Sequence, residues 1–143
     1  MAKTSVVSAR LAPEQERRLE KKAKELGRTP SETGALLIEE GLRRDEFGFI
    51  DFRNSPAGRQ AYIQGSTLAV WEVVWISRSY KGDASKTAEH LEMSPLKVQA
   101  ALNYGRAFPD EIGSAIAEQE GTDFETLSRM VPQAEEFVVP RKG

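Results

Sequence analysis

Little in this chain is spaced for bond-making chemistry. Its 143 residues include one histidine, His90, and no cysteine. A lone imidazole on a helical segment has no second histidine with which to share a metal, so a surface or core role is expected for it. The stretches PAGRQ and IQGST lack the spacing and the lysine of a phosphate-cradling loop. Carboxylates are plentiful but form no compact motif. The expectation is therefore no enzyme, no metal and no other cofactor. Recognition chemistry is better placed. In TSVVSARL, residues 4–11, polar and apolar side chains alternate as on a half-buried strand. Val6, Ser8 and Arg10 share one face, and Val7, Ala9 and Leu11 share the other. A strand without a neighbour leaves a row of backbone donors and acceptors unpaired, so this one needs a partner.

Two helices come directly after the segment. The first is expected over Pro13–Leu26, with proline at its start, Leu19, Ala23 and Leu26 as one apolar stripe, and Gly27 as its stop. Glu14–Arg18 and Glu20–Lys24 stand at helical i, i+4 spacing on the solvated side. The second begins at TPSE, with Thr29 as N-cap, Pro30 at the first position and Glu32 completing a capping box. Gly34, Leu37, Ile38, Gly41 and Leu42 line one of its faces, and Leu36 adds apolar surface on another. Forty-four residues holding one strand and two helices cannot bury this much apolar surface alone. The strand and the wide helix face both call for a second copy of the chain.

Residues 45–60 read as a connector broken by Gly48, Pro56 and Gly58, although Phe47, Phe49, Ile50 and Phe52 are apolar enough to pack onto the next domain. Residues 61–70 suggest two short strands around a turn at Gly65. A helix then carries Trp71, Val74, Trp75 and Arg78, its tryptophans read as core anchors rather than base-stacking platforms. Helices over Ser85–Glu92 and Pro95–Ala107 are spaced as a helix-turn-helix, with Ser94 as cap and Ala88, Leu91, Val98 and Ala101 inside. Residues 110–119 continue helically. From Gly121 onward Phe124, Leu127 and Met130 make one more apolar-periodic piece, and the chain then ends in an amphipathic stretch. That segment either orders on a partner or folds back on its own body.

Charge divides the chain. Residues 1–44 carry ten Lys/Arg against seven Asp/Glu, and residues 45–143 carry ten against fifteen, for a net −2 overall. A basic head on an acidic body suits two different partners. The same asymmetry also arises from random scatter. No run of 18 apolar residues exists and MAKTSVVSAR lacks the apolar core of a secretion signal, so no membrane partner and a cytoplasmic location are expected. The absence of cysteine excludes disulfides and fits a reducing compartment.

The N-terminal stretch TSVVSARLAPEQERRLEKKAKELGRTPSETGALLIEEGL resembles the ribbon-helix-helix proteins, the group of the Arc and MetJ repressors. The matching marks are the strand ending in Arg10–Leu11, a first helix of about four turns, the Gly27–Arg28 corner and the capped second helix. The resemblance implies an intertwined homodimer in which the strand pairs antiparallel with its copy, with Val7, Ala9 and Leu11 facing a four-helix core. The opposite face of the two-stranded ribbon would enter the DNA major groove. Val6, Ser8 and Arg10 would then point at bases, with the Arg10 fork suited to guanine O6 and N7, and Val6 standing where a polar residue is the rule. Lys3 and Thr4 would reach the backbone. The N-terminus of the second helix, at Thr29 and Ser31, would meet a phosphate.

The middle, GRQAYIQGSTLAVWEV and then TAEHLEMSPLKVQAALNY, is similar to a small helix-turn-helix-like family of unknown function found in bacterial antitoxins. Gly65, Val70, Trp71 and Ala100–Ala101 match its marks, while Ser66–Thr67 replace its usual Thr-Arg pair. Lys97, Gln99, Asn103 or Arg106 could touch DNA, but a structural or dimerising role is favoured by the near-neutral charge. The stretch FETLSRMVPQAEEF is similar to the C-terminal segments of such antitoxins. The resemblance therefore implies a mainly α, VapB-like architecture: residues 1–44 a ribbon-helix-helix domain for DNA binding and dimerisation, 45–60 a connector, 61–119 the helix-turn-helix-like domain and 120–143 a partner-binding tail. The implied function is a type II antitoxin that binds operator DNA as a dimer, represses its own operon and neutralises a PIN-like ribonuclease toxin. Phe124, Leu127, Met130, Phe137 and Val138 are the expected toxin anchors, and Arg129, Arg141 and Lys142 the expected cations for its acidic metal site. A ribbon-helix-helix repressor without a toxin, possessing a ligand-sensing or dimer-bridging middle domain, is the alternative, and a pure protein-interaction module is a third.

Overall fold

The computed structural model describes residues 4–130, with side chains through residue 121. It is mainly helical, with one small antiparallel sheet. The order is α1 (Pro13–Leu26), α2 (Pro30–Glu46), β1 (Ile50–Ser55), β2 (Gly58–Ile63), α3 (Val70–Arg78), α4 (Ala84–Leu91), α5 (Pro95–Ala107) and α6 (Pro109–Met130). The chain divides into two units between Leu42 and Arg43, inside α2.

In the first unit, α1 starts at proline and stops where Gly27 takes the left-handed conformation, φ 65°. Its glycine closes the helix because an L side chain there would be strained. At the start of α2, the Glu32 N–H donates to Thr29 Oγ1 at 3.1 Å, and the Thr29 hydroxyl donates to Glu32 Oε1 at 3.1 Å. Packing between the two helices is sparse, and Ala23 is the one buried apolar side chain among the described residues of this unit.

The second unit holds the core. Residues 45–60, expected as a connector, contain the end of α2 and most of a β-hairpin. Ile50 stands opposite Ile63 and Phe52 opposite Ala61. All four are buried, so the period-2 pattern of both strands puts one face on the helices. The turn falls at Pro56–Ala57 rather than at Gly65. Gly65 does turn the chain, at φ 77°, but the residues after it pair only through a single bridge between Tyr62 and Ala69. The buried face of α3 is Val70, Val73 and Ser77, while Trp71 and Trp75 pack at the margin of the core. This corrects the expected phase of that helix. Helix α4 is capped by Asp83, whose Oδ1 accepts from the Lys86 N–H at 2.9 Å, and α5 by Ser94. Helices α3 and α5 approach so closely at Gly105 that an added Cβ would lie 3.1 Å from Val74 Cγ2. Helix α6 runs unbroken through Gly121, so the expected separation of a tail at that point is absent, and Ile112 and Ile116 anchor it to the core. No helix among the described residues is long and apolar enough to cross a membrane.

The outer face of the hairpin carries a titratable brace. Burial alone would raise the pKa of Asp51, but the Phe52 N–H at 2.9 Å, the Arg53 guanidinium at 3.5 Å and the charge of Arg44 outweigh it and hold the carboxyl below its ordinary value. A carboxylate depressed in the fold contributes stability that is present above the unfolded pKa, about 3.9, and lost as pH falls through the folded value. The melting temperature of this unit is expected to decline below about pH 4. Asp51→Asn should flatten part of that decline without changing the plateau slope above about pH 5. An unchanged acid limb in a pH series of thermal melts would remove Asp51 as a cause of the decline.

Candidate nucleic-acid interface

The candidate interface is built from the segment before α1 and the corner before α2. Thr4–Leu11 forms neither helix nor strand and pairs with no strand among the described residues. Its anchor is the start of α1, where the Ala12 N–H donates to Gln15 Oε1 at 2.8 Å. Thr4, Val6, Ser8 and Arg10 are all exposed, as the groove-facing reading requires. The intended core side is exposed as well. Val7 is 87% accessible and Leu11 46%, beside Val6 at 95%. On α2, Ile38 is 62% and Leu42 54% accessible. Of the face expected from Gly34, Leu37, Ile38, Gly41 and Leu42, only Gly34 and Leu37 are half-buried. Buried on α2 are Thr33 and Glu40 instead. One chain therefore presents the residues for an apolar core without assembling it. Lys3 lies outside the described residues.

The corner at Thr29 and Ser31 is exposed. Its capacity for an anion is limited by its own chemistry. Pro30 has no N–H, and the Glu32 N–H is taken by Thr29 while its carboxylate sits at the positive end of the helix. Ser31 supplies the remaining backbone donor of the first turn, so this corner can orient a phosphate but adds little net charge to the contact.

In the second unit Lys97, Gln99 and Asn103 of α5 have partners within the chain. Lys97 Nζ donates to the Gln64 carbonyl at 3.1 Å, and Gln99 Nε2 donates to Asn103 Oδ1 at 3.0 Å. Asn103 and Arg106 are exposed. His90 is exposed, and the Tyr80 hydroxyl lies 2.5 Å from its Nδ1. No group of three or more His, Asp or Glu among the described residues is placed to hold a metal. Of the expected toxin-binding residues, Phe124, Leu127, Arg129 and Met130 fall on α6. Phe137, Val138, Arg141 and Lys142 lie outside the described residues.

One polar cluster has no counterpart in the sequence reading. The Arg43 guanidinium stacks over the Phe108 ring, 3.7 Å from its centroid, and donates to the Tyr104 hydroxyl at 2.6 Å and to Glu111 Oε1 at 2.9 Å. The Tyr104 hydroxyl donates in turn to Glu111 Oε2 at 2.7 Å. Burial works against the Arg43 charge, but hydrogen bonds to Glu111 and Tyr104 outweigh it and raise its pKa. Burial first, and the Glu111 carboxylate second, push the Tyr104 phenol well above its ordinary value, so it stays a donor. More than sixty positions separate Arg43 from its partners. No local pattern could have announced the cluster.

Compared with known proteins, the chain matches no family model, no curated protein and no solved structure.

Proposed function

We propose that this protein is a dimeric antitoxin that represses its own operon. Two copies pair their Thr4–Leu11 segments antiparallel, bury Val7, Leu11, Ile38 and Leu42 between them, and present Val6, Ser8 and Arg10 to the major groove. The observation that carries this reading is the state of residues 4–42: an exposed alternating segment and an exposed apolar helix face in a unit that buries one apolar side chain. Large exposed apolar surface of this kind marks an association site. Two-fold pairing of identical strands satisfies both backbones at once and closes the assembly. The resemblance to ribbon-helix-helix repressors supplies the DNA, and the resemblance of the middle and C-terminal stretches to antitoxins supplies the toxin, a PIN-like ribonuclease.

Co-expression with the product of the neighbouring gene tests the whole reading. The full chain is expected to co-purify with that product and to restore growth. A chain ending at Glu120 keeps Ile112 and Ile116, and hence the core contacts of α6, but loses Phe124 through Arg141. It should lose at least about 100-fold in affinity, since a few buried anchors of about 2 kcal/mol or more dominate such interfaces. Undiminished capture by the shortened chain excludes the C-terminal residues from toxin binding. Operator binding with no captured partner favours a repressor without a toxin.

A further inference from the structure

A groove on the second unit is shaped and charged for a peptide. Ala57 and Tyr62 of the hairpin, Trp71 and Glu72 of α3 and Glu118 of α6 line it. None of the described residues lining it is basic. Arg53, stacked over the Tyr62 ring at 5.0 Å, is held by the Ser66 carbonyl at 2.6 Å and by Asp51. The groove therefore offers half-buried aromatic surface with two carboxylates in its lining. Its complement would be a short apolar segment leading into cations.

The chain contains that segment. Residues 137–142 read FVVPRK: three apolar side chains, a proline and two cations, with Glu135 and Glu136 on the other flank. We propose that the groove receives this segment of its own chain, with Phe137 and Val138 against Trp71 and Tyr62, and Arg141 and Lys142 toward Glu72 and Glu118. Reach permits it. From Gln119 to Met130, α6 advances about 16 Å at about 1.5 Å per residue. The seven residues from Met130 to Phe137 can cover about 24 Å when extended, enough to return alongside the helix. Glu135 and Glu136, on the other flank of the segment, are the end that the two carboxylates would repel. The inference does not depend on the antitoxin reading. Under that reading, the same residues have two competing sites, and a toxin must draw them out of the groove.

The absence of cysteine makes the test direct. Full-length Ala57→Cys/Val138→Cys is treated with a short bismaleimide, beside a Ser85→Cys/Val138→Cys control whose first cysteine is exposed on α4, outside the groove. The groove pair should cross-link at least about tenfold faster than the control, within single chains by mass, as a raised effective concentration requires. Glu72→Gln/Glu118→Gln keeps the acceptor that Glu72 offers to the Ala69 N–H while removing both charges, and should slow the reaction several-fold, as should added salt. Equal rates for the two pairs, linkage only between chains, or indifference to the two charges would each overturn the proposal. A full-length chain that cross-links in this way but, left unlinked, captures no toxin would sink the antitoxin reading and leave this one standing.

Discussion

Tyr104→Ala is expected to cost the Arg43–Met130 unit about 3–5 kcal/mol, and Tyr104→Phe about 1–2 kcal/mol. The side chain is fully buried. Its ring sits among Phe47, Phe52 and Phe108, with centroids 5.6, 6.4 and 4.7 Å away. Truncation to alanine removes the ring from all three and leaves a cavity that neighbouring elements cannot fill without moving, so transfer and cavity terms add. The phenylalanine variant keeps the packing. It loses a hydroxyl that accepts from Arg43 and donates to Glu111, but those two groups already meet at 2.9 Å. They remain paired, so the penalty stays near that of one hydrogen bond to a charged partner. Both tryptophans lie in α3 of the same unit, so urea unfolding monitored by their emission reads this region. If the alanine variant unfolded at the wild-type urea midpoint, the aromatic cluster would not be the centre of the unit. Equal losses in the two variants would assign the stability to the hydroxyl instead.

Arg10→Ala should weaken binding to the operator by about 1–3 kcal/mol, or about 5- to 150-fold. The expectation rests on geometry within the proposed dimer. Arg10 is exposed, and in a paired strand it would share a face with Val6 and Ser8, of which it is the one able to make two parallel hydrogen bonds to guanine. A base-reading arginine and a backbone lysine differ in their signature. Loss of Arg10 should erase most of the preference for the operator over random duplex at fixed salt. Loss of Lys3 should weaken both duplexes alike and reduce the salt slope by about one. Titrations of both variants at several salt concentrations separate the two. Full discrimination retained by Arg10→Ala would mean that the ribbon face does not read sequence.

Where the structure agrees with the sequence reading, local chemistry dictates the outcome. The bounds of α1 and α5 lie where proline opens them, and α1 closes at Gly27. The Thr29–Glu32 cap needs four consecutive residues and nothing distant. The misreadings share a different cause. In FIDFRNSPAGRQAYI the alternation of Ile50, Phe52, Ala61 and Ile63 is present, but Pro56 and Gly58 read as equally good evidence for a linker and for a hairpin turn. In WEVVWIS nearly every position is apolar, so helical periodicity cannot choose between a Trp71–Trp75 face and a Val70–Val73–Ser77 face. At the close crossing with Gly105 it is Val74, from the same face as the tryptophans, that meets α5, so both faces of α3 carry contacts. Gly121 reads as a boundary, yet a helix anchored upstream by Ile112 and Ile116 passes through it, since one glycine costs about 1 kcal/mol in a helix interior. The Arg43–Tyr104–Glu111 cluster joins residues that only tertiary packing brings together.

The single buried apolar residue of positions 4–42 has a consequence for supply. Under the proposed pairing, order in this region belongs to an encounter rather than to a molecule. In the dilute limit, halving the number of chains leaves about a quarter of the paired form, because association is second order. Whatever governs how fast the chain is made or removed would therefore control operator occupancy more steeply than in proportion, with no further regulatory part.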